Sequence, residues 1–203
     1  MNRLPRSSRV AILRCLVEGN SIRSTCRITD TAKGTVLKFL VDIGYLCAAY
    51  QDEHVRDLQS KRIQLDEIWS FVGAKDRNIP KERQEEHGIG SAWTWTALDA
   101  DSKLMISYMV GARDGKIAAC FVQDIALRLA TKRTDLQVTT DGHGAYPDAL
   151  FYGFGGAEID YAQLIKQYGR PEGVTTPERR YSPEVCTGAK GKIVSGDPDP
   201  AHI

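Results

Sequence analysis

The spacing of apolar residues changes near residue 61, and that change limits what the chain can fold into. Upstream, apolar residues recur at three- and four-residue intervals, the period of helices that bury one face. Val10, Leu13, Leu16 and Val17 share a stripe over 8–18, which Gly19-Asn20 stops. Ser21 caps a second short segment, 22–28. Thr29-Asp30 cap a third, with Val36, Leu37, Leu40 and Val41 apolar and Gly44 at its end. Three short helices joined by tight turns in a basic segment predict a helix-turn-helix over 1–44. Small three-helix units also serve dimerisation or capping. Residues 45–61 read as a linker or a further helix of mixed polarity.

Downstream the period is that of strands. KRIQLDEIWSFVG (61–73) is rich in β-branched and aromatic residues. KDRNIPKERQEEHGIG (75–90) reads as a polar loop. SAWTWTALDADSKLMISYMVG (91–111) reads as two strands about an Asp99-Ala100-Asp101-Ser102 turn, with Leu104, Ile106, Tyr108 and Val110 alternating. Asp114 caps a helix reaching about Ala130, with Ile117, Phe121, Ile125 and Leu129 on one stripe. LQVTT (136–140) is a buried-type strand that ends at Asp141, and after the Gly142 turn a short helix covers 146–151. From Tyr152 on, Gly and Pro are frequent and no element is assigned. Strand, hairpin, helix, strand, helix predicts an α/β domain. That order is similar to a ribonuclease-H-like mixed sheet over 62–203, preceded by an all-α segment and joined to it by a linker over 45–61.

The net charge of +1 conceals an asymmetry. Residues 1–40 carry eight Lys/Arg against Glu18 and Asp30, a net of +6, which leaves −5 for the rest. A basic end suits phosphate, and the acidic body suits something else; a merely solvated basic face is the other reading. On the helix-turn-helix reading, Thr31, Lys33, Thr35 and Lys38 of the third helix face double-stranded DNA. No apolar run approaches the roughly 20 residues that span a bilayer. The N-terminal apolar stretch is broken by Arg14 and Glu18, so no signal peptide is expected. Cys15, Cys26, Cys47, Cys120 and Cys186 are odd in number and form no C-x-x-C pair, which argues for reduced thiols in a cytoplasmic protein.

Two acids stand where chemistry is wanted. Asp66 lies inside the first strand, where an uncompensated carboxylate is costly. Alternation sends Glu67 to the opposite face, toward an edge or solvent. Asp141 lies at the C-terminal end of a buried strand, where sites form in α/β sheets. If the two strands are neighbours, the carboxylates repel unless a cation lies between them, and oxygen ligands suit Mg2+ or Mn2+. Such ions activate a water or a 3′-hydroxyl for in-line phosphoryl transfer. The plainer alternative is that Asp66 pairs with an Arg and Asp141 caps a turn. His143 reads as a substrate contact or as a capping residue. Trp69, Trp93 and Trp95 read as core, and Lys132, Arg133, Arg179 and Arg180 as possible phosphate contacts.

LDEIWSFVG, AWTWTALDADSKL, TTDGHGAY, RRYSPEVCTG and GDPDPAHI, in that order from about Gln64 to the last residue, resemble the transposases of the insertion-sequence-one family, the InsA–InsB fusion proteins. The resemblance implies an Asp-Asp-Glu catalytic domain that uses two divalent metals, with Asp66 as the first acid and Asp141 as the second. It implies binding to terminal inverted repeats, cutting of 3′ ends, joining to target DNA, a homo-oligomer, and a bacterial, nucleoid-associated setting. Two departures matter. The family's zinc-binding cysteine cluster has no counterpart here. The family's third acid follows a GDPDPAHI-like segment, and this chain ends at Ile203; Glu158, Glu172, Glu178 and Glu184 lie in no matching motif. A truncated catalytic domain with little strand transfer of its own is therefore expected. A DNA-binding regulator without catalysis and a nuclease that hydrolyses without joining are the alternatives.

Overall fold

The computed structural model of the chain describes residues 4–83, 86, 88–130, 135–156, 159–169 and 185–203. It divides into two compact units, Met1–Val55 and Arg56–Ile203.

The first unit holds helices α1 (Arg6–Val17), α2 (Ile22–Thr29) and α3 (Lys33–His54). The Ser21 hydroxyl accepts the Ser24 amide at 3.1 Å and so caps α2. Asp30 ends α2 in the left-handed region, at φ 47°, and the chain turns directly into α3. Ile12, Thr25 and Val36 are buried, one from each helix. Helix α3 does not stop at Gly44. It runs on to His54, so most of the stretch expected as a linker is helical. A glycine inside a helix costs only about 1 kcal/mol relative to alanine, and it ends the helix only where the chain adopts a positive φ. Side chains one turn apart support the extension: Tyr50 stacks on His54 at 3.9 Å between ring centroids.

The second unit is an α/β domain with the element order β1 (Arg62–Val72), β2 (Gly90–Asp99), β3 (Met105–Gly111), α4 (Gly115–Arg128), β4 (Gln137–Thr140), α5 (Tyr146–Gly153), β5 (Asp160–Gly169) and β6 (Val185–Ser195). The strands form one six-stranded sheet in the order β3-β2-β1-β4-β5-β6. Strand β2 runs antiparallel to both β1 and β3, β4 and β5 run parallel to β1, and β6 returns antiparallel to β5. An antiparallel meander followed by strands parallel to its first member is the ribonuclease-H-like arrangement that the element order predicts.

Each element follows from its residues. Asp99 builds the β2–β3 turn by accepting from the amides of Asp101 and Ser102 at 3.0 and 2.7 Å and from the Ser102 hydroxyl at 2.9 Å. Asp114 accepts the Ile117 amide at 2.9 Å and starts α4. The predicted α4 stripe is buried at Phe121, Ile125 and Leu129, with Ile117 packed at its edge. These residues meet Ile63, Leu65, Trp95, Ile106 and Val138 of the sheet. Full burial of a large apolar side chain stabilises by roughly 1.5–3 kcal/mol, so this layer holds the unit together. Against β4, Gln137 fixes the chain's last turn. Its amide donates to the carbonyls of Asp199 and His202, both at 3.3 Å, and its carbonyl accepts the Asp199 amide at 3.0 Å. Strands β5 and β6 fall in the segment left unassigned from sequence. Only the first half of β5 is buried, so no continuous apolar alternation marks it.

Candidate active site

The site forms where β4 stops. Strand β4 has four residues, whereas β1 and β5 run on beyond its end. The gap is one strand wide, and the turn Asp141–Gly144 lies at its floor. The resulting hollow of about 600 Å³ is lined by Asp66, Glu67, Trp93, Arg113, Asp141 and His143, with Ile165 and Lys166 on the β5 side. It opens at the C-terminal ends of parallel strands, the usual place for a site in an α/β sheet.

Register sets the two aspartates side by side. Leu65 of β1 pairs with Thr140 of β4 in a parallel ladder. Asp66 and Asp141 each follow one member of that pair. Adjacent strands lie about 4.8 Å apart, so the two carboxylates start from neighbouring positions. Asp141 also shapes the turn: its Oδ1 accepts the His143 amide at 2.8 Å. Asp66 Oδ1 accepts the Glu67 amide at 2.9 Å, and Asp66 makes no ion pair among the described residues.

Glu67 departs from expectation. It reaches neither an edge nor solvent, for its side chain is 1% exposed. It shares the buried face with Ile63 and Leu65, and that face opens into the hollow once β4 ends. Its compensation is Arg113, at the junction of β3 and α4. Arg113 donates to Glu67 Oε2 from Nε at 3.0 Å, and its Nη2 lies 2.9 Å from the same oxygen in the ion pair. The same Nη2 reaches Asp141 Oδ2 at 3.2 Å. The guanidinium lies over the Trp93 ring, 4.9 Å from its centroid. The buried Tyr146 hydroxyl interacts with the buried Glu67 carboxylate. Burial and then the Glu67 carboxylate push the Tyr146 phenol above its ordinary range, with Asp141 and Asp66 adding to the shift. Tyr146 therefore stays neutral at any working pH.

His143 is more than a capping residue. Its ring packs edge-on against Trp95 and Tyr146, at 5.5 and 5.9 Å, and its Nδ1 is buried without a partner. Of the three tryptophans expected in the core, Trp95 is buried and Trp93 is half-buried under Arg113. Trp69 is 42% exposed, in the outer part of β1, where every residue from Ile68 to Val72 is exposed. Its indole N–H is held by the Ser91 hydroxyl at 2.9 Å.

The DNA-facing residues expected in the first unit are placed as follows. Thr31 lies in the turn before α3, with its hydroxyl donating to the Thr29 carbonyl at 3.0 Å. Lys33 is exposed at the start of α3, Thr35 is half-buried, and Lys38 is exposed beside Asp42. Lys132, Arg133, Arg179, Arg180, Glu158, Glu172, Glu178 and Glu184 lie outside the described residues. Among the described residues, no three His, Cys, Asp or Glu side chains converge on one point. Two neighbouring carboxylates still suit a hard divalent cation, which commonly takes one or two carboxylates and fills the rest of its shell with water and substrate oxygens. Glu67 lines the same hollow, with its carboxylate held by Arg113.

No protein-family model and no curated protein matches this sequence. Among solved structures, the chain is similar to the Mos1 strand transfer complex and to the Mos1 transposase paired-end complex with left transposon end, each at 12% identity and a TM-score of 0.34, covering 79% of this chain and 60% of that one. A pre-cleavage Mos1 transpososome is similar at a TM-score of 0.32 and 12% identity, covering 78% and 60%. The chain thus spans about 60% of the length of the chains it matches. The fold assignment stands on the strand order itself.

Proposed function

We propose that this chain is part of a DNA transposase of the insertion-sequence-one type, with Asp66 and Asp141 as carboxylate ligands of catalytic Mg2+ or Mn2+. One observation carries the reading: the parallel β1–β4 register sets these two aspartates next to each other, at the mouth of an open hollow. A divalent ion held there supplies charge neutralisation and an activated oxygen nucleophile for phosphoryl transfer. The protein's own part is positional. Asp141 is fixed by its turn, Asp66 by its strand, and Arg113 offers guanidinium N–H groups toward the space a phosphate would enter. The helical unit Met1–Val55 would read the terminal repeats, with Thr31, Lys33, Thr35 and Lys38 toward DNA.

Mn2+ titration of the full chain, alone and with Asp66→Asn or Asp141→Asn, tests the metal half of this reading. Each substitution should lower Mn2+ affinity roughly tenfold or more, the range of losses seen when a ligand-shell group is removed. Affinity unchanged by both would end the reading. A DNA-binding regulator is the second reading, favoured by one observation: Met1–Val55 is compact in its own right. On that reading both aspartate variants keep full terminal-repeat binding and show no change in metal affinity.

A further inference from the structure

Arg113 ties a buried carboxylate to one of the two aspartates, and its two contacts are unequal. The Glu67 side chain is almost wholly buried and has two guanidinium nitrogens against one oxygen, a hydrogen bond from Nε at 3.0 Å and Nη2 at 2.9 Å. Asp141 is 25% exposed and receives one, at 3.2 Å. Separating Arg113 from Glu67 would strand a charge in the interior, whereas releasing Asp141 costs only a longer bond to a part-exposed carboxylate. The Trp93 ring holds the guanidinium plane in place through either event.

We propose that Arg113 is a built-in counter-ion of Asp141, anchored by Glu67, that competes with a divalent cation for the Asp141 carboxylate. Arg113 and Glu67 are positioning residues in this scheme. When a cation claims Asp141, Arg113 stays on Glu67 and its freed Nη2 faces the hollow, ready for a substrate phosphate oxygen. The inference rests on the reading of Asp66 and Asp141 as cation ligands and adds what offsets part of that site's negative charge without the cation.

The experiment is calorimetric titration of MnCl2 into the full chain and its variants, with thermal melting of each in the absence of Mn2+. The double variant Arg113→Gln with Glu67→Gln removes the competitor without leaving a buried charge unpaired, and it should bind Mn2+ roughly tenfold more tightly than the unaltered chain. Glu67→Gln alone leaves Asp141 as the only carboxylate for Arg113 and should weaken Mn2+ binding several-fold. A merely structural role would move both variants the same way. Arg113→Lys, which cannot bridge two carboxylates as a planar fork does, gives an intermediate affinity and serves if the double variant does not fold. Equal Mn2+ affinity in the unaltered chain, the double variant and Arg113→Lys overturns the inference, and if Asp141→Asn still weakens binding roughly tenfold or more the two-aspartate reading stands without it. Mn2+ binding that is absent throughout, or indifferent to Asp141→Asn, overturns both.

Discussion

A carboxylate that is 1% exposed must be answered by a cation, and Glu67 is answered by Arg113 alone among the described residues. Replacing Arg113 by Ala while keeping Glu67 should therefore cost roughly 3 kcal/mol in urea denaturation of the full chain, and adding Glu67→Gln should recover much of that loss. Asp99 makes a second residue-scale prediction. Burial raises its pKa, but hydrogen bonds from Ser60, Ser102 and the Asp101 amide together outweigh burial and hold it below the ordinary carboxylate range. A depressed folded-state pKa means that its stabilisation is present above the unfolded value, near about 3.9, and is lost as pH falls through the folded value. Asp99→Ala should cost about 2 kcal/mol at neutral pH, and the difference from the unaltered chain should shrink as melts are repeated toward strong acid. A constant difference across that range would contradict the assignment.

Helix α3 carries a glycine that its backbone does not need. Gly44 lies mid-helix, and a Cβ added there meets nothing within 4 Å. Gly44→Ala should raise the stability of the helical unit by about 0.5–1 kcal/mol, read by circular dichroism on melting; destabilisation would place a turn at this position. The same residue shows how an element boundary is misread. Glycine after an apolar run looks like a cap, but Gly44 keeps a helical backbone and the helix continues to His54, where Tyr50 stacks on the ring one turn away. The strands were legible wherever burial alternates or is continuous, as in β1 to β4. Strands β5 and β6 were not, because mutual pairing rather than an apolar face sustains their outer halves. At the site, Asp66 and Asp141 were legible as carboxylates at strand positions. Glu67 was misplaced: alternation set it on the face opposite Asp66, but it was expected at an edge or in solvent, and nothing in the sequence marked Arg113, 46 residues away, as its partner.

At the scale of the molecule, charge and topology divide the work proposed here. The basic helical unit carries the DNA contacts, and the acidic sheet domain carries the cation site. Binding to a terminal-repeat duplex should weaken steeply with salt, and Lys33→Ala and Lys38→Ala should each reduce the slope of log affinity against log salt by about 1. Asp66→Asn should leave that slope unchanged. Equal affinity for unrelated duplexes at every salt concentration would remove the terminal-repeat reader from the account. The pairing of Asp66 with Asp141 is the account's centre, and an anomalous diffraction map of Mn2+-soaked crystals of the full chain examines it most directly. The account predicts a peak with Asp66 and Asp141 oxygens about 2.1–2.3 Å away, and Arg113 still on Glu67 but off Asp141. A peak away from these aspartates, or none while Arg113 remains on Asp141, would contradict it.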